Sequence, residues 1–535
     1  MHLSQLLAKA ARERPADVAI VDGAERLDFA ELAVRSGRFA AALQGLGVAP
    51  GDRVGMLAHN SHRYAEFLMG TWMAGAVVNP VNVRWTAAEV AYSLDDCDTR
   101  VLLVDANFAP MAADLRRRSK SLRTLIHSGP GTAAEGALRY DDLLVQAQRG
   151  DASAAREPAR DWEDLAAVMY TGGTTGHPKG VMLSHRNLAV NAMATTAAFP
   201  DTFDRVGLIA APMFHIGGCA QWLQLLVTLR GRTVLVPYFD ELKVLDAIQQ
   251  ERVTDTFMVP TMLKRLIDHP QFRAYDLSSL RTVLYGAAAI DATLLAAAMA
   301  ALPGVQFQQL YGLTEASPVV CALPPSMHAP GPKQARRLRA AGFPTASAEI
   351  RIVDPEGCEL PQGTPGEIAV RGPTVMRGYW NKPAETAAAL VDGWLRTGDA
   401  GRFDEEGLLH VQDRLKDMIV TGGENVFSAE VENALAQHAA VQACAVIGIP
   451  DAEWGEKVHA VVVSRPGEAA TAEDLIAHCR NLIAGYKSPR SVEFRAELPL
   501  SAAGKLQKFQ LRAPFWQGRS RQIGGTSSEP AATKK

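Results

Sequence analysis

The chain lacks the features that mark several large classes of protein. It carries 55 lysines and arginines against 58 aspartates and glutamates, a net charge of −3. Without a basic excess we expect no nucleic-acid partner. No run reaches about 18 consecutive apolar residues, so we expect no transmembrane segment, whereas peripheral contact with a membrane is left open. The N-terminus also lacks the apolar core of a signal peptide.

Cysteine is too scattered for a zinc site or a disulfide framework, since no Cys-x-x-Cys pair occurs. This usage fits reduced thiols in a cytoplasmic protein. The six cysteines are Cys97, Cys219, Cys321, Cys358, Cys444 and Cys479. The sequence also has no Gly-x-Ser-x-Gly motif, which argues against a serine hydrolase.

At 535 residues, of which 47% are hydrophobic, the chain is long enough for more than one domain with a large core. Strands alternate with helices from about residue 53 to residue 310, which predicts an α/β fold with parallel sheets. Residues 129–160 are rich in glycine, alanine, proline and charge and predict a loose connection. Beyond Ala348, short strands between turns predict a β-rich, barrel-like subdomain. A last α+β block of about a hundred residues follows, and the tail 517–535 is predicted to be disordered.

The segment from Tyr170 to Gly180, Tyr-Thr-Gly-Gly-Thr-Thr-Gly-His-Pro-Lys-Gly, has the composition of a phosphate-binding loop. It follows the apolar run Leu165–Tyr170, a predicted strand, and Ser184 is a predicted helix N-cap. Glycine amides, threonine hydroxyls and the charge of Lys179 suit a polyphosphate. A bare glycine turn rarely needs three threonines and a lysine. The loop is not a Walker A loop, because Pro178 precedes the lysine and no serine or threonine follows it.

Three further turns follow predicted strands, at residues 212–218, 286–288 and 311–315. In parallel α/β sheets, the turns that contact ligands lie at the carboxyl ends of the strands. We therefore expect these turns to line one pocket.

The sequence contains six ordered motifs: the phosphate loop, Tyr311-Gly-Leu-Thr-Glu315, Thr397-Gly-Asp399, Arg414-Leu-Lys-Asp-Met-Ile419, Thr421-Gly-Gly-Glu-Asn425 and Gly504-Lys505. Together these motifs resemble those of the adenylate-forming superfamily, which holds acyl-CoA synthetases, peptide-synthetase adenylation domains and beetle luciferases. The resemblance covers nearly the whole chain. Within the superfamily the chain is similar to bacterial fatty-acyl-CoA ligases, through Gly173 and the ending Pro514-Phe-Trp516.

The resemblance implies that ATP, Mg²⁺ and CoA are used. A carboxylate attacks the α-phosphate of ATP, and a thiol then displaces AMP from the acyl-adenylate. Cations and donors stabilise the charge that develops on the phosphates. Glu315 is implied to bind Mg²⁺, Lys505 to bridge the carboxylate and the α-phosphate, and His215 to gate and position the carboxylate. The implied catalytic residues are Thr175, Lys179, His215, Glu315 and Lys505.

The resemblance also implies a nucleotide site. Tyr311 is expected against the adenine, Asp399 on the ribose hydroxyls, and Arg414 on ribose or phosphate. Asp413 stands where glycine is usual in the family. The implied ATP- and AMP-binding residues are Thr171, Gly172, Gly173, Thr174, Gly176, Gly286, Ala287, Ala288, Tyr311, Gly312, Thr314, Asp399 and Arg414.

In the superfamily a small mobile C-terminal domain rotates between the two half-reactions. The resemblance implies a large domain over 1–413, a hinge over 414–417 centred on Lys416, and a small domain over 418–516. Gly422, Gly423 and Glu424 are expected to line the CoA tunnel, where glycine leaves room for a thin chain. Cys219 is expected to line the pocket rather than act as a nucleophile. The expected acyl pocket is formed by Phe214, Trp222, Met258, Val259, Leu313, Val319 and Cys321.

The acyl pocket is predicted to be mostly apolar, with no cation for a second substrate carboxylate, which favours a monoacid. We therefore predict an AMP-forming ligase of a medium- to long-chain fatty acid with CoA. The alternatives are a ligase of an aromatic or cyclic carboxylate, or a free-standing adenylation enzyme that loads a carrier protein. A luciferase-like monooxygenase would need a dedicated pocket, which the sequence does not exclude. A non-catalytic ATP-binding regulator would tolerate loss of Lys505 or Glu315, yet both are present. The oligomeric state, including a homodimer, is left open.

Overall fold

The fold has a large N-terminal domain and a smaller C-terminal domain, the mixed α/β architecture that the sequence predicted. No helix among the described residues is long and apolar enough to cross a bilayer. The computed structural model describes residues 2–149, 158, 161–171, 178–198, 205–227, 231–422, 424–501 and 506–517.

Six of the described α-helices follow a residue whose side chain caps them. Ser184 accepts a hydrogen bond from the backbone N–H of Asn187 at 3.1 Å, and Asn187 Oδ1 accepts one in return from Ser184 at 2.8 Å. This reciprocal capping confirms the N-cap predicted there. In chain order the α-helices are α1 Ser4–Glu13, α2 Phe29–Gly45, α3 His62–Met73, α4 Ala87–Asp96, α5 Ala112–Arg118, α6 Tyr140–Arg149, α7 His185–Ala197, α8 Ile216–Val227, α9 Glu241–Glu251, α10 Pro260–Ile267, α11 Ala292–Ala301, α12 Gln334–Arg337, α13 Pro383–Ala389, α14 Ser428–Leu435, α15 Ala472–Leu482 and α16 Lys508–Arg512.

Short 3₁₀ turns and strands complete the secondary structure of the described residues. The 3₁₀ turns include Ala109–Met111, Phe272–Ala274, Thr314–Ala316, Pro325–His328 and Ala513–Trp516. The strands are β1 Val18–Asp22, β2 Glu25–Asp28, β3 Arg53–Leu57, β4 Val77–Pro80, β5 Thr99–Asp105, β6 Thr124–Ser128, β7 Leu138–Arg139, β8 Leu165–Thr171, β9 Lys179–Ser184, β10 Val206–Ile209, β11 Arg232–Leu235, β12 Asp255–Met258, β13 Thr282–Gly286, β14 Gln306–Gly312, β15 Val319–Leu323, β16 Phe343–Pro344, β17 Glu349–Val353, β18 Gly366–Arg371, β19 Gly378–Tyr379, β20 Leu390–Val391, β21 Trp394–Phe403, β22 Leu409–Arg414, β23 Ile419–Thr421, β24 Glu424–Val426, β25 Val441–Asp451, β26 Gly455–Ser464 and β27 Ser491–Phe494.

Two large sheets with parallel centres build the N-terminal domain. The first has the order β16-β15-β14-β13-β12-β10-β11-β1-β2 and is parallel from β14 to β1, with antiparallel strands at both edges. The second has the order β19-β9-β8-β4-β3-β5-β6-β7 and is parallel from β8 to β7. Because β13 and β14 are parallel neighbours, the turns after them lie at the same edge of the sheet, as predicted for the pocket.

Two smaller sheets form the β-rich block and the C-terminal domain. The β-rich block is an antiparallel sheet in which β17, β18, β21 and β20 follow one another and β22 pairs with β21. The C-terminal sheet has the order β24-β23-β26-β25, with β27 against β26, and α14 and α15 share its apolar core.

The largest apolar core joins helices α2, α3, α7 and α8 to the two large sheets. Trp72 and Trp222 are among its largest fully buried side chains. The indole N–H of Trp72 donates to the carbonyl of Ala166 at 2.9 Å, so this buried polar group is satisfied.

The prediction of a loose connection over residues 129–160 was wrong for part of that range, which contains β7 and the whole of α6. Helix α6 buries Tyr140 at its start. The hydroxyl of Tyr140 donates to Glu66 at 2.6 Å, and Glu66 also pairs with Arg35 at 2.6 Å. The helix is therefore held by a tertiary contact that the local composition does not show.

Candidate active site

The two ends of the predicted phosphate loop are held by paired strands. Thr171, the last residue of β8, lies opposite Lys179, the first residue of β9. A Cβ at Gly180 would lie 2.7 Å from Val168, so the pairing needs glycine there. Tyr170 donates its hydroxyl to Asp96 at 2.7 Å and anchors the end of β8.

Several predicted site residues lie outside the described residues. Five of them belong to the phosphate loop between Thr171 and Lys179, one belongs to the CoA tunnel, and one belongs to the C-terminal motif. They are Gly172, Gly173, Thr174, Thr175, Gly176, Gly423 and Lys505.

The turns after β13 and β14 bring two backbones unusually close together. A Cβ on Gly286 would lie 2.1 Å from the carbonyl oxygen of Leu310, and one on Gly312 would lie 1.8 Å from that of Pro318. Neither distance is compatible with a side chain, so both positions require glycine. Ala287 follows with a φ of +64°, which directs the chain away from the sheet. The structure thus places Gly286, Ala287 and Gly312 at one edge of the sheet.

Tyr311, Asp399 and Arg414 form a chain of hydrogen bonds beside this edge. The hydroxyl of Tyr311 donates to Asp399 Oδ2 at 2.7 Å, and Arg414 Nε lies 2.7 Å from Asp399 Oδ1. Asp399 and Arg414 are opposite each other in the pairing of β21 with β22. Burial, reinforced by the Asp399 carboxylate, raises the pKa of Tyr311 well above its usual value, so its hydroxyl remains a donor. Residues 88 positions apart are thereby joined in one site.

Glu315 and Lys179 are brought together by Tyr379, which the sequence analysis missed. Tyr379 lies in β19, which pairs with β9, and its hydroxyl donates to Glu315 Oε1 at 2.9 Å. The ammonium group of Lys179 lies 5.1 Å from the centre of the Tyr379 ring, a cation–π distance. Burial and the neighbouring Glu315 raise the pKa of Tyr379, which keeps its hydroxyl protonated. A motif search fails to find Tyr379 because it belongs to no phosphate-loop pattern.

The site fits an Mg²⁺ ion that reaches the protein together with phosphate. Among the described residues, no group of three or more His, Cys, Asp or Glu side chains could hold a metal alone. Mg²⁺ is usually held through one or two carboxylates plus substrate phosphates and water. A single carboxylate, that of Glu315, close to the phosphate-loop lysine matches such a donor set.

A narrow cavity of about 50 Å³ is lined in part by residues that the sequence analysis predicted to bind the nucleotide. One face of α8 contributes Gly217, Ala220, Gln221 and Gln224, whose spacing of three and four residues places them on one side of the helix. The cavity is also lined by His215, Ile216, Phe257, Leu284, Ala287, Leu310, Tyr311, Gly312, Leu313, Thr314, Pro318 and Val319.

Of the predicted acyl-pocket residues, Leu313 and Val319 line this cavity. Phe214 is partly buried and packs against the main core. Trp222, Met258, Val259 and Cys321 are buried in the apolar cores and are not part of the cavity wall. The sequence analysis missed the glutamines of α8, although their helical spacing after His215 was a usable signal.

Hydrogen bonding at His215 and burial at Cys219 restrict the chemistry of each side chain. The backbone N–H of Gly217 donates to His215 Nδ1 at 3.1 Å, so a neutral ring carries its proton on Nε2. Cys219 is fully buried, and burial raises the pKa of its thiol to about 12. A neutral buried thiol is a poor nucleophile. Cys219 is not part of the cavity wall, contrary to the expectation that it lines the pocket.

Contacts around the predicted hinge tie the C-terminal domain to the rest of the chain. Arg512 donates to the carbonyl of Lys416 at 3.2 Å and forms an ion pair with Asp417. Burial, together with nearby Arg414, lowers the pKa of Lys416. Arg84 of the large domain donates to the carbonyl of Ser501 at 3.0 Å. This last contact holds Ser501 against the large domain.

The predicted CoA-tunnel residues that the structure describes lie at the turn between β23 and β24. Gly422 has a φ of +60°, and a Cβ there would lie 2.7 Å from the ring of Trp454. Its N–H donates to the carbonyl of Trp454 at 2.8 Å. Glu424 is exposed at the start of β24.

Comparisons with known proteins agree with this geometry. Residues 7–380 match the family model of the AMP-binding enzymes, and residues 430–505 match that of the AMP-binding enzyme C-terminal domain. Among solved structures, the amide bond synthetase McbA from Marinactinospora thermotolerans superposes with a TM-score of 0.85 at 32% identity, over 96% of this chain and 99% of that one. The anthranilate CoA ligase AuaEII, in complex with anthranoyl-AMP, superposes with a TM-score of 0.87 at 28% identity, over 96% of this chain and 97% of that one.

Curated relatives act on different acids. A feruloyl-CoA synthase from an Amycolatopsis species is 40% identical over 94% of this chain and 97% of its own length. The fatty acid–[acyl-carrier-protein] ligase ScoC of Streptomyces coeruleorubidus is 37% identical, over 96% of both chains. The medium/long-chain-fatty-acid–CoA ligase FadD8 of Mycobacterium tuberculosis is 35% identical, over 98% of this chain and 92% of its own. The chain therefore belongs to the AMP-binding enzymes, within the AMP-forming acyl- and aryl-CoA ligase family that uses ATP and CoA.

Proposed function

We propose that the chain joins an aromatic or cyclic carboxylic acid to CoA, the alternative raised above, rather than a medium- to long-chain fatty acid. The size of the cavity, about 50 Å³, carries this proposal. A cavity of about 150 Å³ holds benzene. Even an aromatic ring must therefore displace side chains here, and a long alkyl chain would have to displace many more.

The chemistry of the cavity wall supports the same class of acid. Among the described residues, neither lysine nor arginine lines the cavity, so a second carboxylate would find no counter-charge there. Gln221 and Gln224 place amides among mostly apolar side chains, and an alkyl chain packed against them would leave polar groups without partners. The feruloyl-CoA synthase relative supports an aromatic acid at 40% identity, whereas FadD8 supports a fatty acid at 35%.

In the proposed first half-reaction, a carboxylate oxygen of the acid attacks the α-phosphorus of ATP and pyrophosphate leaves. Tyr311 packs against the adenine, Asp399 accepts hydrogen bonds from the ribose hydroxyls, and Arg414 provides positive charge beside them. Lys179 and the threonines of the phosphate loop bind the departing phosphates, and Lys505 bridges the carboxylate and the α-phosphate. A magnesium ion held through Glu315 would neutralise phosphate charge when bound.

In the proposed second half-reaction, the thiol sulfur of CoA attacks the acyl carbon and AMP leaves. The C-terminal domain turns about Lys416, so that Gly422 and its neighbours face the incoming pantetheine. The contact of Arg84 with Ser501 supports an assignment of the present arrangement to the first half-reaction, because it keeps Ser501, which precedes Lys505 by four residues in the sequence, beside the large domain.

Measuring AMP and acyl-thioester formation over a panel of acids, with and without CoA, tests this proposal. The panel contains C4 to C18 fatty acids, benzoate, cinnamates and cyclohexanecarboxylate. We expect CoA-dependent turnover that is fastest with an aromatic acid. Turnover that instead rises along the aliphatic series would restore the fatty-acid prediction. Pyrophosphate release without any CoA thioester would point to a carrier-protein acceptor, as in ScoC.

A further inference from the structure

The amide of Gln221 is fixed in one orientation at the wall of the acyl cavity. Gln221 is only 3% exposed, and its Nε2 donates to the carbonyl of Leu208 at 3.0 Å. The Leu208 carbonyl can only accept hydrogen bonds, so the NH₂ group of the amide must face it. The amide oxygen of Gln221 therefore points away from β10.

That oxygen, Gln221 Oε1, has no hydrogen-bond partner among the described residues. A buried amide oxygen without a partner is unfavourable, because folding removes it from water without replacing the lost hydrogen bond. Since Gln221 lines the cavity, a molecule bound there can supply the missing donor. The polarity is defined: the site needs a donor, and an acceptor would be repelled.

The position of Gln221 indicates which end of the acid it meets. Gln221 lies one helical turn, about 6 Å, beyond Gly217, and His215 precedes that turn at the side expected for the reacting carboxylate. Apolar side chains of Phe257, Leu284 and Val319 also line the cavity and suit the body of the acid. The amide oxygen would thus contact the acid at the end remote from its carboxylate.

We infer that Gln221 Oε1 accepts a hydrogen bond from a hydroxyl or amino group at the remote end of an aromatic acid. This inference rests on the proposed function and narrows the substrate to aryl acids that carry such a donor. The hydrogen bond between Gln221 and the remote group determines which acid is preferred and takes no part in bond making. Loss of the Gln221 amide should reduce kcat/KM for the donor-bearing acids and leave the chemistry at the carboxylate unchanged.

Four matched acids test the inference with the full-length protein. They are 4-hydroxycinnamate and 4-aminocinnamate, which carry a donor, and 4-methylcinnamate and 4-methoxycinnamate, which do not. We expect kcat/KM for CoA-thioester formation to be about 10- to 100-fold higher with the donor acids than with 4-methylcinnamate. A preference for 4-hydroxycinnamate alone, or for 4-aminocinnamate alone, would show whether the donor is a hydroxyl or an amino group. Equal values for all four acids would overturn the inference.

The variant Gln221→Met keeps a long side chain but removes the amide. The Leu208 carbonyl still accepts from Thr256 Oγ1 at 3.0 Å, so the substitution leaves no orphaned carbonyl. In this variant we expect the kcat/KM values of the donor acids to fall to within about threefold of that of 4-methylcinnamate, whose own kcat/KM should not change. Turnover of 4-methylcinnamate reports whether the variant is folded.

The matched control is Gln224→Met, which removes the other amide of the same helix face. We expect this variant to retain the donor preference. A preference that survives in Gln221→Met, or that disappears in Gln224→Met instead, would overturn the assignment. Should Gln221→Met fail to fold, the four acids with the unaltered protein still decide the question. Absence of CoA thioester with every acid would refute the proposed function itself, whereas efficient but undiscriminating turnover would refute only this inference.

Discussion

Replacing Asp399 by asparagine tests the proposed ribose site directly. Asp399 is 4% exposed, and its two oxygens accept from Tyr311 and Arg414, each at 2.7 Å. Asparagine keeps the shape but removes the charge and replaces one acceptor by an NH₂ donor. The new NH₂ cannot face Arg414, which only donates, so it must turn towards the Tyr311 oxygen, which can accept.

The size of the effect follows from the hydrogen bonds that the ribose would lose. A hydroxyl that donates to a buried carboxylate forms a charge-assisted hydrogen bond worth about 1.5–3 kcal/mol. After the substitution the ribose hydroxyls meet a neutral amide instead. We therefore expect kcat/KM for ATP in acid-dependent adenylation to fall by about 10- to 150-fold.

Exchange of labelled pyrophosphate into ATP, measured with ATP, 2′-deoxy-ATP and 3′-deoxy-ATP, provides the assay. The unaltered protein should discriminate against both deoxy analogues, and Asp399→Asn should discriminate little. Tyr311→Phe is the control, since it leaves the Asp399–Arg414 pair in place and should retain ribose discrimination. If Asp399→Asn loses activity by the same factor on all three nucleotides, Asp399 supports the fold rather than the ribose.

Three further predictions concern other parts of the molecule. Burial lowers the pKa of His328 from 6.5 to about 4. Between these two pH values, His328 is protonated in the unfolded chain but stays neutral in the folded chain. His328 should therefore cost about 2 kcal/mol of stability at pH 5 relative to neutral pH, and His328→Asn should flatten the acid side of a plot of Tm against pH. Arg84→Ala, which removes the contact with Ser501, should slow adenylation by a few-fold and spare thioester formation from supplied acyl-AMP; an equal effect on both half-reactions would contradict this. Lys505→Ala should abolish adenylation and likewise spare the second half-reaction, and parallel loss of both would remove Lys505 from the first step.

The fold class could be predicted from the sequence because its main signals are local. Strands such as Val77–Pro80 and Asp255–Met258 are buried along their whole length, as parallel strands between helices are. Helix α6 was missed because Tyr140 is held by Glu66, a residue of a distant helix. Strand β15 was missed although its five residues are all buried, since its partner β14 is what makes it a strand.

The sequence predicted those residues of the candidate site that belong to recognisable motifs. The motifs that hold Tyr311, Asp399 and Arg414 each carry their own pattern, and the fold brings them within hydrogen-bonding distance. Tyr379 and Gln221 belong to no such pattern. Their roles depend on which groups the folded chain packs against them. Glu315 and Lys179 lie beside Tyr379, and the Leu208 carbonyl lies beside Gln221. Composition and spacing do not predict such contacts.

The contacts of Asp413 give a physical reason for an acid where glycine is usual. Asp413 Oδ2 accepts from both the backbone N–H and the hydroxyl of Ser428 at 2.5 Å, which satisfies an amide at the start of α14 that has no partner within the helix. Lys508 donates to the same hydroxyl at 2.5 Å and pairs with Glu432 at 2.8 Å, so the buried charges are compensated. Of the four residues in this cluster, Asp413, Ser428, Glu432 and Lys508, only Asp413 precedes the proposed hinge at Lys416. A rotation there would break the contact between Asp413 and Ser428 and carry the Lys508–Glu432 pair along intact. The contact of Asp413 with Ser428, like that of Arg84 with Ser501, therefore biases the C-terminal domain towards the arrangement seen here.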